Sequence, residues 1–243
     1  MNRLDDFDKF AAVPDVYVAP EEKEFLPREN LHQWLLDERG RDQFVIRYAD
    51  ETEVYWNDAH VGRPEEVYRR PNWTESYVQW SPLGHYLATV HRQGAALWGG
   101  PGWARLQRLS HPNIQFLDFS PGERYLATCS VREPTNAREH TAVTVNLFDV
   151  RSGRLMTSFQ GGVEDFTLGG GAGGGAGRGG AFTFPCFKWA GGGDDRFFAK
   201  IGKNAVHIYE ARHQRGKGGA AAEPAEPGCR VVGLSLRLGR GAG

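Results

Sequence analysis

A glycine run, a carboxylate pair, scattered histidines and serines, and three cysteines are the residues of this chain whose types could do chemistry. Spacing decides what each can do. From Gly161 to Gly180, 11 of 20 residues are glycine, and such backbone freedom is what a phosphate cradle uses. No Gly-Lys-Ser/Thr follows, however, and no strand runs from it into a helix, so neither a Walker loop nor a dinucleotide fingerprint is present. Asp194-Asp195 could serve acid–base or metal chemistry, but it adjoins Gly191-Gly192-Gly193 and reads as turn chemistry. His85, His91, His111 and His207 show no ligand spacing such as H-E-x-x-H. Ser81 and Ser120 precede prolines in turns, without the G-x-S-x-G elbow of a nucleophile. Cys129, Cys186 and Cys229 are odd in number and form no C-x-x-C, which argues for reduced thiols; Cys129 sits in a strand-like run as a small buried hydrophobe. No catalytic constellation survives. The residues predict no enzyme activity, no cofactor, no metal and no small-molecule substrate.

What remains is surface. Arg69-Arg70-Pro71-Asn72-Trp73 places two arginines beside an aromatic, the composition of a phosphate-backbone contact. His91-Arg92-Gln93-Gly94 reads as a tight turn that presents Arg92. Arg69, Arg70, Trp73 and Arg92 are therefore the candidate contacts with a partner or with a phosphate backbone, and a solvated loop is the competing reading for both segments. Asn72-Trp73-Thr74 matches a glycosylation sequon, read as chance without a secretory signal.

The elements that must carry these residues repeat. Val78-Gln79-Trp80-Ser81-Pro82-Leu83-Gly84 through Thr89, Leu117-Asp118-Phe119-Ser120-Pro121-Gly122-Glu123 through Thr128, and Phe187-Lys188-Trp189 through Lys200 share one rhythm: an apolar-alternating run, a Pro/Gly turn, and a second run. Further strand-like runs end at Trp98, Phe148 and Tyr209. Trp80 and Phe119 lie 39 residues apart, the period of a propeller blade. Phe119 to Trp189 is 70 residues, so a further segment is inserted, some of it at Arg132–His140 and the rest at 161–180. The predicted fold is all-β, a partial WD40-like propeller of about three blades plus a preceding hairpin. Its predicted layout is an acidic extended lead-in at 1–28 and a partial propeller at 29–211. Within the latter lie an incomplete first blade at 29–73, blades at 74–110 and 111–160, a flexible glycine-rich insertion at 161–180 and a blade start at 181–211. Residues 212–243, with eight glycines and no aromatic, read as a disordered tail. Leu31, Trp34 and Leu35 follow a helical spacing for about two turns. Trp80, Trp98, Phe119, Phe148 and Trp189 are expected between blades as core.

Bulk numbers narrow the function class. Lys+Arg 29 against Asp+Glu 30 gives a net charge of −1, so nothing global draws the chain to nucleic acid. Residues 1–60 carry 15 acidic and 7 basic side chains, and residues 161–243 carry 7 and 11. The N-terminus has no apolar signal region and no run reaches a membrane span of about 18 residues. The expectation is a cytoplasmic protein with no membrane partner.

At the level of whole segments the chain resembles a known family. Asp42–Arg47, Thr52–Asp58, Trp73–Gly84, Tyr86–Gly100, Phe119–Glu123, Asn146–Arg151 and Phe198–Asn204 closely resemble the b subunit of eukaryotic translation initiation factor three, from about Phe7 to Ala211. The resemblance implies a non-enzymatic propeller scaffold that binds other subunits of the factor complex and the small ribosomal subunit with its RNA. In that family an RNA-recognition motif precedes the propeller and a helical region follows. Against that family this chain starts where the RNA-recognition motif would have finished, loses the pattern after Ala211 and has a longer glycine run, so the expectation is an incomplete or mis-spliced product with an out-of-family tail, with a genuine short variant as the alternative. A generic WD40-type adaptor of another intracellular complex is the alternative.

Overall fold

The computed structural model describes residues 37, 39–136, 139–167, 182, 184–191, 194–202, 205–211, 229–231 and 236–237. The expected lead-in at 1–28, the helical spacing at Leu31–Leu35 and most of the glycine-rich segment lie outside the described residues. Among those described, the chain is all-β apart from a 3-10 helix at Val163–Phe166.

Four antiparallel sheets follow one another along the chain. The first contains β1 (Asp42–Tyr48), β2 (Glu51–Asn57) and β3 (Glu65–Pro71). The second contains β4 (Val78–Trp80), β5 (Leu87–His91), β6 (Gly94–Gly99) and β7 (Ala104–Ser110). The third contains β8 (Phe116–Phe119), β9 (Tyr125–Arg132), β10 (Ala142–Asp149) and β11 (Leu155–Gly162). The fourth contains β12 (Phe187–Trp189), β13 (Phe197–Gly202) and β14 (Ala205–Ala211), with β15 (Cys229–Val231) and β16 (Leu236–Arg237) both paired to β14. Each of the first three is a meander of sequential neighbours, the topology that short turns favour. No sheet closes on itself among the described residues.

Three details depart from the sequence reading. Glu65–Pro71 is a third strand of the first sheet, so Arg69 and Arg70 lie on a strand and not on a loop. Gly161 and Gly162 end β11, paired with Val143 and Ala142, and a 3-10 turn follows in which Asp165 Oδ2 accepts a bond of 3.0 Å from Gly162 N. The first residues of the supposed flexible insertion are thus ordered by the β10 ladder. Within 212–243, Cys229–Val231 and Leu236–Arg237 are strands, held by backbone pairing to Tyr209–Ala211 and to Ala205–Val206. Backbone bonding supplies what composition withholds.

The repeated turn has one construction. Ser81 N donates to Tyr86 O and Ser120 N to Tyr125 O, both at 2.9 Å, and Ala190 N donates to Phe197 O at 2.9 Å. In the first two turns the serine hydroxyl accepts from the returning strand, Ser81 Oγ from Tyr86 N and Ser120 Oγ from Tyr125 N, each at 2.9 Å. Both serines are buried and committed to backbone. Two residues before the closing residue, every turn needs a left-handed backbone: Gly84 at φ 79°, Glu123 at 59° and Asp195 at 51°. Glycine takes that conformation without steric cost, and the two acids do not.

The core is divided among the seams between successive sheets. Val54 and Trp73 of the first sheet region meet Leu87, Ala96, Trp98 and Trp103. Ala88, Val90, Leu97 and Leu109 of the second meet Leu117, Phe119, Leu126 and Phe148 of the third. Tyr125, Val143, Val145 and Leu147 of the third meet Phe187, Trp189 and Phe198 of the fourth. Trp98, Phe119, Phe148 and Trp189 are buried there as expected, and Trp80 is half-buried against the first seam. Alternating apolar residues on a strand bury one face per seam, and fully buried strands such as β6 serve two.

Candidate partner-binding surface

Most of the described groups that could have done chemistry are occupied structurally. Asp194 Oδ1 accepts from Arg196 N at 3.2 Å, within its own turn. Asp195 is buried and accepts from Ser120 Oγ at 2.6 Å, Gly122 N at 2.8 Å and Arg124 N at 3.0 Å, so the fourth sheet's turn clasps that of the third. Glu123 joins the third sheet's turn to that of the second in the same way: it is buried, accepts from Leu83 N at 2.7 Å, and pairs with the His85 ring. Burial pushes the Cys129 thiol up to about 12 and the Cys186 thiol up to about 11, which suppresses thiolate chemistry at neutral pH. Among the described residues, no group of three or more His, Cys, Asp or Glu side chains converges as a metal site.

His111 is buried and bonded to Thr128 Oγ1 at 2.6 Å and Ser130 Oγ at 2.9 Å. Burial pushes it down to about 4 from the ordinary 6.5, so the folded ring is neutral at pH 7. The unfolded chain takes up this proton first as pH falls. Stability is then complete above pH 6.5 and declines towards pH 4, by about 3 kcal/mol from this ring. Urea midpoints measured between pH 7 and pH 4 should fall more steeply in the native protein than in His111→Asn. Parallel curves for the two proteins would refute the assignment.

The candidate contact residues separate. β2 and β3 pair Glu53 with Arg69 and Thr52 with Arg70, and alternation sends successive residues to opposite faces. Arg69 lies on the face of Glu53, 2.6 Å from its Oε1 and 2.9 Å from Glu66 Oε2. Tyr55 OH and Tyr48 OH also donate to Glu53, at 2.5 and 2.8 Å. These hydrogen bonds, with Arg69 adding its charge, hold the Glu53 carboxyl below its ordinary value. Arg70 takes the other face and lies 4.8 Å over the Trp98 ring, a cation–π contact. Trp73 is 1% exposed. Its ring meets Tyr68, Trp98 and Trp103 at 5.1, 5.5 and 5.6 Å, so in this structure it is core and not a surface platform. Arg92 is exposed in the β5–β6 turn, with its backbone N donating to Glu75 Oε2 at 2.8 Å.

Arg70 thus comes to the seam between the first and second sheets, whereas Arg69 faces away and Arg92 stays in the β5–β6 turn, where its carbonyl accepts from Asn113 N at 2.9 Å. Arg105 and Arg108 of β7, which motif reading passed over, stand at the same seam. Trp98 is opposite Arg105 and Ala96 opposite Arg108, with a register shift between Leu97 and Trp98. Three residues apart, the two arginines would occupy opposite faces of a regular strand; the bulge puts both on one. His91 ends β5 beside them, bonded to Thr89 Oγ1 at 2.9 Å. Chemically this is an exposed guanidinium rim over an aromatic floor, suited to binding an anionic surface and not to bond making.

No family model matches the chain. It is 53% identical over 211 residues to the b subunit of eukaryotic translation initiation factor 3 from Nicotiana tabacum and 49% identical over 211 residues to that from Arabidopsis thaliana, each match covering 86% of the chain. The corresponding protein of Schizosaccharomyces pombe is 37% identical over 224 residues. The chain spans 29% of the length of each of these relatives. A solved structure described as that of the eukaryotic initiation factor is 18% identical with a TM-score of 0.47, over 74% of this chain and 39% of that one, a likeness too low to carry weight. Identity sustained across plant and fungal sequences places the chain in the family of the b subunit of eukaryotic translation initiation factor 3, covering a fraction of that protein's length.

Proposed function

We propose that the chain belongs to a cytoplasmic, non-enzymatic scaffold of a translation initiation factor complex, which works by binding other subunits of that complex and the small ribosomal subunit with its RNA. The observation that carries this reading is the 53% identity over 211 residues with the Nicotiana tabacum protein. The four successive sheets, each packed on the next through its own apolar seam, support a WD40-like propeller arrangement for this stretch of the scaffold. Side chains that could have supplied catalysis are spent on turns and seams, which fits a scaffold. The candidate contacts on this reading are Arg70 and Arg92, with Arg69 on the opposite face. Trp73 acts through the core that positions them.

Purified chain sedimented through a gradient with purified small ribosomal subunits, or mixed with the other factor subunits, should migrate with one or both. A folded sample that stays at the top of the gradient and binds no factor subunit would overturn the reading.

A further inference from the structure

The long edges of the four sheets are not defended alike. Among the described residues, four edge strands run longer than four residues: β1, β3 and β7 with seven each, and β11 with eight. An open edge offers unpaired N–H and C=O groups to a further strand, and proteins blunt it with charge, proline or a bulge. β1 carries Asp42 and Arg47, β3 carries Glu65, Glu66, Arg69 and Arg70 and ends in Pro71, and β7 carries Arg105 and Arg108. β11 has neither a charged residue nor a proline. Its bulge, opposite Leu147 and Phe148, lies near the start of the strand and leaves 157–162 in regular register with β10. Ser158 and Gln160 are exposed and Phe159 is half-buried. Phe159 lies opposite Val145 on the face of the fourth sheet, and Ser158 and Gln160 take the other face. Charge sits at the two ends. Arg151, exposed, precedes the strand, and Arg154 beside it is engaged within its own chain. Glu164 and Asp165, both exposed, follow it in the 3-10 turn. Gly161 and Gly162 make room for those two carboxylates, since a Cβ at either would lie 2.5 Å from one of their oxygens.

We propose that β11 is the pairing edge for a second copy of this chain, joined antiparallel about a two-fold axis that sets Phe159 opposite its own counterpart. A strand that runs from a basic end to an acidic end is its own complement when reversed. Arg151 of each copy then comes to the end where Glu164 and Asp165 of the other stand. In this register Ser158 of one copy faces Gln160 of the other, twice, as a hydroxyl–amide pair. The two Phe159 rings meet on a single face as a cross-strand aromatic contact. Ladder bonds supply the affinity, and the alternation of these side chains sets the register. The glycines at 161 and 162 put no side chain in the way of the incoming strand. The third sheets of two molecules become one continuous sheet, an isologous contact that closes after two copies. It is one ladder wide, so a transient dimer is expected, with a dissociation constant on the order of 10 μM.

The test is sedimentation velocity on the full chain between about 1 and 200 μM, a range that brackets the expected constant. The mean mass should rise to twice that of the chain and no further. Hydrogen exchange on the same samples should slow at 157–162 as concentration rises, with β3 and β7 unchanged. Ser158→Lys/Gln160→Lys sets ammonium groups opposite one another and should weaken association about 10-fold or more, and Ser158→Glu/Gln160→Glu should do the same. Mixed in equal amounts, the two variants should recover a one-to-one dimer, because each lysine then faces a glutamate. Val67→Lys, at an exposed position of the first sheet's outer strand, should associate as the native chain does. Ser158 and Gln160 are exposed, so both double variants should keep the native urea midpoint. Exchange in the native chain tests the edge without any variant. A native chain that stays monomeric across the range would overturn the proposal and leave the edge to a strand of another protein. Growth beyond two copies, protection confined to another element, equal loss in Val67→Lys, or folded lysine and glutamate variants that fail to associate when mixed would overturn it as well.

Discussion

Asp195→Ala should cost about 4 kcal/mol of stability, seen as a large drop in urea midpoint. Three donors converge on this buried carboxylate: the Ser120 hydroxyl and the backbone N–H groups of Gly122 and Arg124. Alanine leaves all three in a buried turn without an acceptor, and each such loss costs about 1–3 kcal/mol, less where water enters. Nothing is regained from the backbone, because alanine at φ 51° is at least as strained as aspartate, whose short polar side chain tolerates the left-handed region better. Asparagine offers one oxygen where the carboxylate offers two, and its amide would face an N–H, so Asp195→Asn should fall between native and alanine. Ser120 is also the acceptor for Tyr125 N, so damage should spread into the third sheet and expose Tyr125, which stacks at 5.8 Å on Trp189. Quenching of tryptophan emission should track the loss. A midpoint within about 0.5 kcal/mol of native, the size of an ordinary surface change, would show that the clasp does not join the two sheets.

That clasp shows where sequence reading stops. The turn itself was legible: proline, glycine and a Ser-Pro pair repeated at a fixed distance announce two strands and the bend between them. The need for a positive φ two residues before each closing residue was also implicit in Gly84. That Glu123 and Asp195 occupy this strained position to reach the preceding sheet's turn was not legible. The benefit lies across 73 residues for Asp195 and Gly122 and 40 for Glu123 and Leu83, and no local pattern marks it. The arginine rim was hidden for a different reason. Arg69-Arg70 looked like a pair because adjacency in sequence was read as adjacency in space, and a strand separates adjacent side chains. Arg105 and Arg108 looked unrelated for the complementary reason, since only the bulge opposite Trp98 brings them together. β3 went unread because Glu65–Pro71 is mostly polar and ends in proline. Among the described residues it is an outer strand paired to β2 alone, where exposed charge is tolerated and proline removes no needed donor.

The aromatic floor beneath the rim is the point at which fold and function are most easily confused. Trp73→Ala should destabilise the chain by about 4 kcal/mol, the range for deleting a buried aromatic. The side chain is 1% exposed and touches the rings of Tyr68, Trp98 and Trp103; it follows β3 in sequence and bridges the first two sheets. Neighbouring rings cannot collapse into the space, because Trp98 is held by its Nε1–H bond of 2.8 Å to Thr89 Oγ1 and capped by Arg70. A cavity is left, and with it goes the platform that orients Arg70. Trp73→Phe keeps the edge-to-face contacts and should lose about 1–2 kcal/mol, since less volume is removed. Arg92→Ala, in an exposed turn, should stay within about 0.5 kcal/mol of native. Near-ultraviolet circular dichroism reads the same event independently, because rings packed at 5–6 Å couple and the signal should collapse in Trp73→Ala. If Trp73→Ala were as stable as native yet failed to bind its partner, the residue would be a contact and the seam would be open. If it unfolds as expected, any loss of binding in that variant belongs to the scaffold, and the surface chemistry must be sought in the arginines above it.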